Sequence, residues 1–358
     1  MTTEVCSRHV TSESLLDFLR WSIDRAREET QLMAPAYTAR FHGLEMRLLT
    51  RNEHYPELVE QRLFNDKSSN ECQERISVAV LSPDDSSMPS PPAWGEAIYH
   101  PRKFEKLLEG THFRATYFHD CNLWQIYDQQ QKFGLQWMTG ADGYPDWESG
   151  APLRVFLHWA YRQMSMRLAH AGTLGKDGQG MVLVGVGGSG KSGTVIGGIA
   201  HGLDSVGDDY VLIRQNEGAV HVHPLFKTLK QDRQGLERLG LDAVIAMSRD
   251  VNWQEKYEFQ SEELSGQGLA RELNVRAIVI PRIAHAPTST VRPIPKNRAM
   301  LALAPTGLFQ MPGERDSGVR FFSDIVRQVP CFELALSSDA MDVSRAIESF
   351  IDRGFQCD

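Results

Sequence analysis

The sequence predicts an α/β protein with α+β character: a mixed-sheet domain over residues 151–358, preceded by a smaller α+β domain over residues 1–150. Three observations carry this expectation. Four apolar residues, Met181 to Val184, run straight into a glycine-rich loop and then a helical segment, the order strand, loop, helix that α/β units use. The segments YVLIRQ, GAVHVHP, VRAIVIPRI and CFELALS read as strands that fall in hairpin-like pairs near the loop, which favours a mixed sheet over a strictly parallel one. Finally, TGADGYPDWESGAP at 139–152 is a polar joint containing Gly and Pro, and the domain boundary is placed there.

A chain of 358 residues has room for two cores. Its 41% hydrophobic and 23% charged residues are those of an ordinary globular protein. A net charge of −8 offers no basic footprint for nucleic acid. No apolar run reaches the roughly 18 residues of a membrane helix, and MTTEVCSRHV lacks the basic start and apolar core of a signal peptide. A cytoplasmic protein is expected, without membrane or nucleic-acid partners. Cys6, Cys72, Cys121, Cys331 and Cys357 are scattered, with no CxxC pair, so free thiols are expected rather than a zinc ribbon or disulfide framework.

In chain order, Leu15, Leu19, Ile23 and Ala26 recur at helical spacing over 11–29, with Thr11 and Ser12 as caps. Strands are expected between 36 and 82, an exposed loop over the Pro- and Ser-rich stretch 83–95, and a short helix in HPRKFEKLLEG. Residues 114–138 read as a strand followed by a hairpin turning near Asp128 to Gln131. A helix is expected over 153–169, then a hairpin from HAGTLG to GMVLVGV, and further helices over 231–240, 297–309, 318–328 and 340–353. Lys227 and Lys230 are read as a solvated helix face, with an anionic acceptor as the alternative they would meet.

Gly185-Val-Gly-Gly-Ser-Gly-Lys191-Ser192 fits the phosphate-loop pattern G-x-x-x-x-G-K-[ST]. Gly185, Gly187, Gly188 and Gly190 let the backbone wrap an anion, so that N–H groups from this stretch, Ser189 and Gly193 included, converge on phosphate oxygens. The helix starting at Lys191 favours negative charge at its N-terminus. Lys191 would reach the β- and γ-phosphates of ATP, and Ser192 would ligate Mg2+. Asp208 and Asp209 follow about one helix length later, directly before YVLI. Adjacent residues on extended chain point opposite ways, so one carboxylate is assigned to the metal and the other to a proton from an attacking hydroxyl. Arg282, at the end of the strand VRAIVIPRI, is a candidate for neutralising phosphate charge.

The order H-x-G, strand, G-x-x-x-x-G-K-S, helix, G-D-D, starting at His170, resembles the catalytic core of the HPr kinase/phosphorylase family and its related bacterial serine kinases. That fold is similar to phosphoenolpyruvate carboxykinase around the phosphate loop. The resemblance covers about residues 165–215 well. It implies that His170 and Asp208 sit at the γ-phosphate with Asp208 as general base, and that Asp209 lies near the metal. It also implies a tendency to form homo-oligomers. The chain departs from the family at Gly193, where a glutamate is common, and lacks the downstream acidic, Arg-Gly-x-Gly signature. The expected function is therefore an ATP- and Mg2+-dependent phosphotransferase acting on a hydroxyl, foremost serine of a protein or peptide. The alternatives are a small-molecule kinase (free serine, a sugar or a natural-product intermediate) and a nucleotide-dependent switch with slow ATPase activity. Residues 1–150 would recruit the acceptor or regulate.

Overall fold

A computed structural model describes residues 10–66, 72–95, 100–216, 218–247, 251–308, 311–313 and 315–357. The chain divides into two compact units, one ending at Met164 and the other beginning at Ser165. The division falls after the polar joint, so the helix following that joint belongs to the first unit. Cys72, Cys121, Cys331 and Cys357 are free thiols, while Cys6 lies outside the described residues. Among the described residues, no helix is long and apolar enough to cross a membrane.

The first unit comprises α1 (Ser12–Thr30), β1 (Tyr37–Phe41), β2 (Gly43–Leu49), α2 (Tyr55–Arg62), β3 (Cys72–Leu81), α3 (Pro101–Leu107), β4 (Phe113–Phe118), β5 (Leu123–Asp128), β6 (Phe133–Trp137) and α4 (Arg154–Gln163). Its six strands form one sheet in the order β1-β2-β3-β6-β5-β4, with β3 parallel to both β2 and β6. Thr11 caps α1 through a reciprocal pair with Ser14. The stripe Leu15, Leu19, Ile23 and Ala26 is fully buried in a core containing Trp124 and Trp137. Each such leucine or isoleucine contributes roughly 1.5–3 kcal/mol of burial.

Two buried carboxylates of this unit are handled differently. Glu148 accepts from Tyr55 Oη at 3.0 Å and Leu153 N at 2.6 Å, and burial pushes its carboxyl up. Glu45 lies under Arg40, Arg47 and Arg75, each donating through Nε. Burial would raise its carboxyl, but the three guanidinium hydrogen bonds outweigh it and hold it below the ordinary range.

The second unit comprises β7 (Met166–Ala169), β8 (Gly172–Lys176), β9 (Gln179–Leu183), α5 (Lys191–Ala200), β10 (Val211–Asn216), β11 (Ala219–Pro224), β12 (Thr228–Asp232), α6 (Arg233–Arg238), α7 (Asp242–Met247), β13 (Lys256–Gln260), α8 (Ser261–Ser265), β14 (Leu273–Ala286), β15 (Thr290–Pro293), α9 (Lys296–Leu308), α10 (Arg315–Gln328), β16 (Cys331–Ser337) and α11 (Ala340–Asp352). The main sheet runs β15-β16-β14-β11-β10-β7, with β9 paired to β14 and β8 to β9. β14 is parallel to β9 and β16, and the remaining pairings are antiparallel, so the sheet is mixed as the sequence predicts.

Both faces of this sheet are covered, which is why β9 and β14 carry apolar runs rather than alternation. Met181, Leu183, Val279 and Leu334 share one core with Val195 and Ile196 of α5 and Ile347 of α11. Val182 and Ile278 share the other with Leu303 of α9 and with Phe322 and Ile325 of α10. The helix expected over 153–169 stops at Gln163. Ser165 has φ of 60°, in the left-handed region, and the next four residues pair with β10 as strand β7. Tertiary pairing there overrides a helical spacing of apolar residues.

Candidate functional site

The glycine-rich loop leaves the carboxyl end of β9, between β8 and β14. Val184 N still donates to Val279 O at 3.0 Å, and the backbone then turns, with Ser189 N donating to Val186 O. Val186, Gly187 and Gly188 are exposed. Gly190 caps α5 at φ 96°, and a Cβ there would stand 2.4 Å from Leu336 Cδ1. Only glycine satisfies both the left-handed backbone and that approach. Thr194 fixes the joint by donating both its N–H and its hydroxyl to Gly190 O. The unpaired first N–H groups of α5 therefore open toward the loop, with the positive end of the helix dipole behind them. Lys191 is only 7% exposed, while Ser192 and Gly193 are partly exposed.

The acidic pair is delivered by a segment anchored on β8. Thr173 N donates to Gly207 O, Thr173 Oγ1 accepts from Val206 N at 2.9 Å, and Gly175 exchanges backbone hydrogen bonds with Asp204. Gly172, where β8 begins, faces a tight point: a Cβ there would lie 2.5 Å from Val195 Cγ2 and 2.9 Å from Asp208 Oδ1. It would also lie 3.5 Å from Lys191 Cγ. The absence of a side chain at Gly172 is what admits the Asp208 carboxylate beside the Lys191 stem. Asp208 is 3% exposed, and its Oδ1 is buried without a hydrogen-bond partner among the described residues. Ser189 Oγ, in the loop itself, is in the same condition. Both atoms thus have hydrogen-bonding capacity to offer a polar ligand.

Asp209 has φ of 78°, which swings its side chain away from that of Asp208. Its Oδ1 is 2.8 Å from His170 Nε2, its Oδ2 is 3.4 Å from Lys230 Nζ, and the side chain is 31% exposed. Burial alone would raise this carboxyl. The hydrogen bond from His170 and the charges of Lys230, His170 and Lys191 overcome it and hold the group far below the usual carboxylate range. The imidazole of His170 thus pairs with Asp209, the second of the two aspartates. Lys230 is not on a solvated helix face: it lies in strand β12 and its side chain is 16% exposed.

Arg282 belongs to a different cluster. Its Nε donates to Glu333 Oε1 at 3.2 Å, where Arg292 also donates, while Arg298 holds Oε2. Glu333 is fully buried, and burial would raise its carboxyl; the three guanidinium hydrogen bonds instead keep it below the ordinary value. The stability from such a group is present above the unfolded pKa of about 4.3 and is lost as pH falls toward the lower folded value. Glu333→Gln is expected to cost about 1–3 kcal/mol, the half-exposed arginines moderating the penalty of a broken buried pair. Urea midpoints across pH check this: the gap to wild type should be constant at neutral pH and close in acid.

Among the described residues, no group of three or more His, Cys, Asp or Glu side chains forms a ready metal cage. Mg2+ does not need one, since it is held by one or two carboxylates, waters and substrate phosphates. The ionised Asp209 and the Ser192 hydroxyl are donors of the right kind for it.

No family model matches the chain, and no curated protein matches it. Among solved structures, the chain is similar to the Hpr(Ser) kinase/phosphatase from Coxiella burnetii, over 53% of this chain and 99% of that one. The identity is 11% and the TM-score 0.28, a distant likeness of structure from which no family membership follows.

Proposed function

We propose that the second unit binds Mg2+ and ATP at the loop Gly185–Gly193 and transfers the γ-phosphoryl group to a hydroxyl, foremost serine of a protein or peptide. The observation that carries this reading is the buried, unpartnered Asp208 oxygen beside Gly172 and the Lys191 stem, at the foot of the glycine-rich loop. A binding loop alone needs no such carboxylate. An orphaned acceptor at that position is what a hydroxyl proton requires.

The loop N–H groups and Lys191 hold the β- and γ-phosphates and stabilise charge on the oxygens during transfer. Asp208 takes the acceptor's proton while its oxygen bonds to the γ-phosphorus and the bond to the leaving ADP breaks. The products are a phosphate ester, ADP and protonated Asp208. Ser192 and Asp209, with the phosphates, would hold Mg2+, which would supply further charge neutralisation. His170 and Lys230 orient Asp209 and keep it ionised. The first unit recruits the acceptor or regulates its use.

The test is to incubate the full chain with γ-labelled ATP and Mg2+, against a protein and peptide pool and, separately, a pool of hydroxyl metabolites. Label on a hydroxyl is the expected result, and the pool in which it appears identifies the acceptor class. Bound ATP whose label passes only to water would replace transfer with a slow ATPase switch.

A further inference from the structure

A cleft separate from the Asp208 side opens against α5. It has a volume of about 230 Å3 and starts at Gly190, the cap of the loop. Its floor continues along Gly193 and Gly197, which share one face of α5 with Gly190 because they stand at i, i+3 and i+7. Lys191 and Val195, an i, i+4 pair, lie on the opposite face, against Gly172 and Asp208. One wall is Gln231 of β12 with Arg238 and Leu239 at the end of α6, and the facing wall includes His285.

Two further observations indicate a ligand there. Gln231 is only 9% exposed; its Oε1 accepts from Asp232 N, while its Nε2 has no partner among the described residues. That Nε2 stands 3.4 Å from where a Cβ on Gly193 would be, so the amide donor of this largely buried side chain faces the first turn of α5. Arg238 is exposed on the rim with no hydrogen bond or ion pair among the described residues. In size the cleft falls below the roughly 300–1,000 Å3 of sites that hold a whole small molecule, which suits part of a ligand whose remainder lies elsewhere.

We infer that this cleft holds the ribose and base of the nucleoside triphosphate, with Gln231 Nε2 donating where sugar and α-phosphate meet. The inference rests on the nucleotide reading of the loop. It assigns the two sides of α5 different tasks: the nucleoside lies along the glycine face, and the acceptor hydroxyl approaches from the Asp208 face. The γ-phosphate then lies between donor and acceptor, as in-line transfer demands.

The test compares ATP with inorganic tripolyphosphate as ligands of the full chain, in wild type, Gly197→Ala and Gly197→Leu. At Gly197 a Cβ would reach 3.1 Å from Leu239 Cδ2, so larger side chains fill the cleft stepwise without touching the loop. Alanine is a better helix former than glycine, which keeps at least that variant folded. Wild type is expected to bind ATP about tenfold or more tighter than tripolyphosphate. Both variants should lose that margin, leucine completely, with tripolyphosphate affinity unchanged. ATP affinity retained in folded Gly197→Leu would overturn the cleft assignment while leaving the loop assignment standing. Equal wild-type affinity for the two ligands would do the same. Binding of neither ligand by wild type would remove both.

Discussion

Asp208→Asn should leave ATP affinity within about threefold of wild type and lower phosphoryl transfer by about 10²–10⁴-fold, the usual span for a general base. Asparagine matches aspartate in shape, so it still fits the space that Gly172 leaves open between Val195 and the Lys191 stem. What it loses is the ability to take a proton. The variant also removes the negative charge of a buried carboxylate whose Oδ1 has no partner among the described residues. Its thermal midpoint should therefore be unchanged or higher, because strained or unsatisfied groups at functional sites are held at a cost in stability. Transfer rate, calorimetric affinity and thermal midpoint together check the assignment. A loss of transfer matched by a loss of stability would mark Asp208 as a packing residue, and full transfer would remove it from the chemistry.

Lys191→Met should reduce ATP affinity by about 30–150-fold, the equivalent of about 2–3 kcal/mol for charge-assisted contacts to phosphate. Methionine is the informative replacement. Lys191 is 7% exposed and its stem packs beside Gly172, so truncation to alanine would add a cavity to the loss of charge. With methionine the stem stays and only the ammonium goes. Calorimetry with ATP and Mg2+ reads the effect, and transfer should fall along with binding. This sets it apart from Asp208→Asn, where only transfer falls. Unaltered ATP affinity in the methionine variant would mean that the loop is a glycine-rich turn with no phosphate on it.

The local parts of this site were legible in the sequence because they depend on neighbours along the chain. Met181–Val184 is apolar and buried on both faces of the sheet, and Gly190-Lys191-Ser192 marks a helix start. The Asp208-Asp209 pair sits where extended chain begins. Which carboxylate meets His170 was not legible. It is decided by the positive φ of Asp209 and by the anchoring of residues 204–207 on β8, neither of which has a side-chain signature. Lys230 reaches Asp209 from β12, a strand too short and too polar to stand out. The Glu333 cluster assembles from β14, β15, α9 and β16, so a strand-end arginine such as Arg282 reads the same whether it faces a phosphate or a buried glutamate. The helical spacing of apolar residues in LHWAYRQMSMRLA says helix throughout, yet its last four residues are claimed by β10. Sheet pairing across about 40 residues of chain is invisible to a local window.

A structure of the full chain with Mg2+ and a non-hydrolysable ATP analogue tests the central claim most directly. The predicted result is β- and γ-phosphates on the N–H groups between Gly187 and Ser192, Lys191 Nζ within hydrogen-bonding reach of them, and the Asp208 carboxylate facing the γ-phosphate. Phosphates bound away from that loop, or an Asp208 carboxylate with no access to the γ-phosphate, would contradict it.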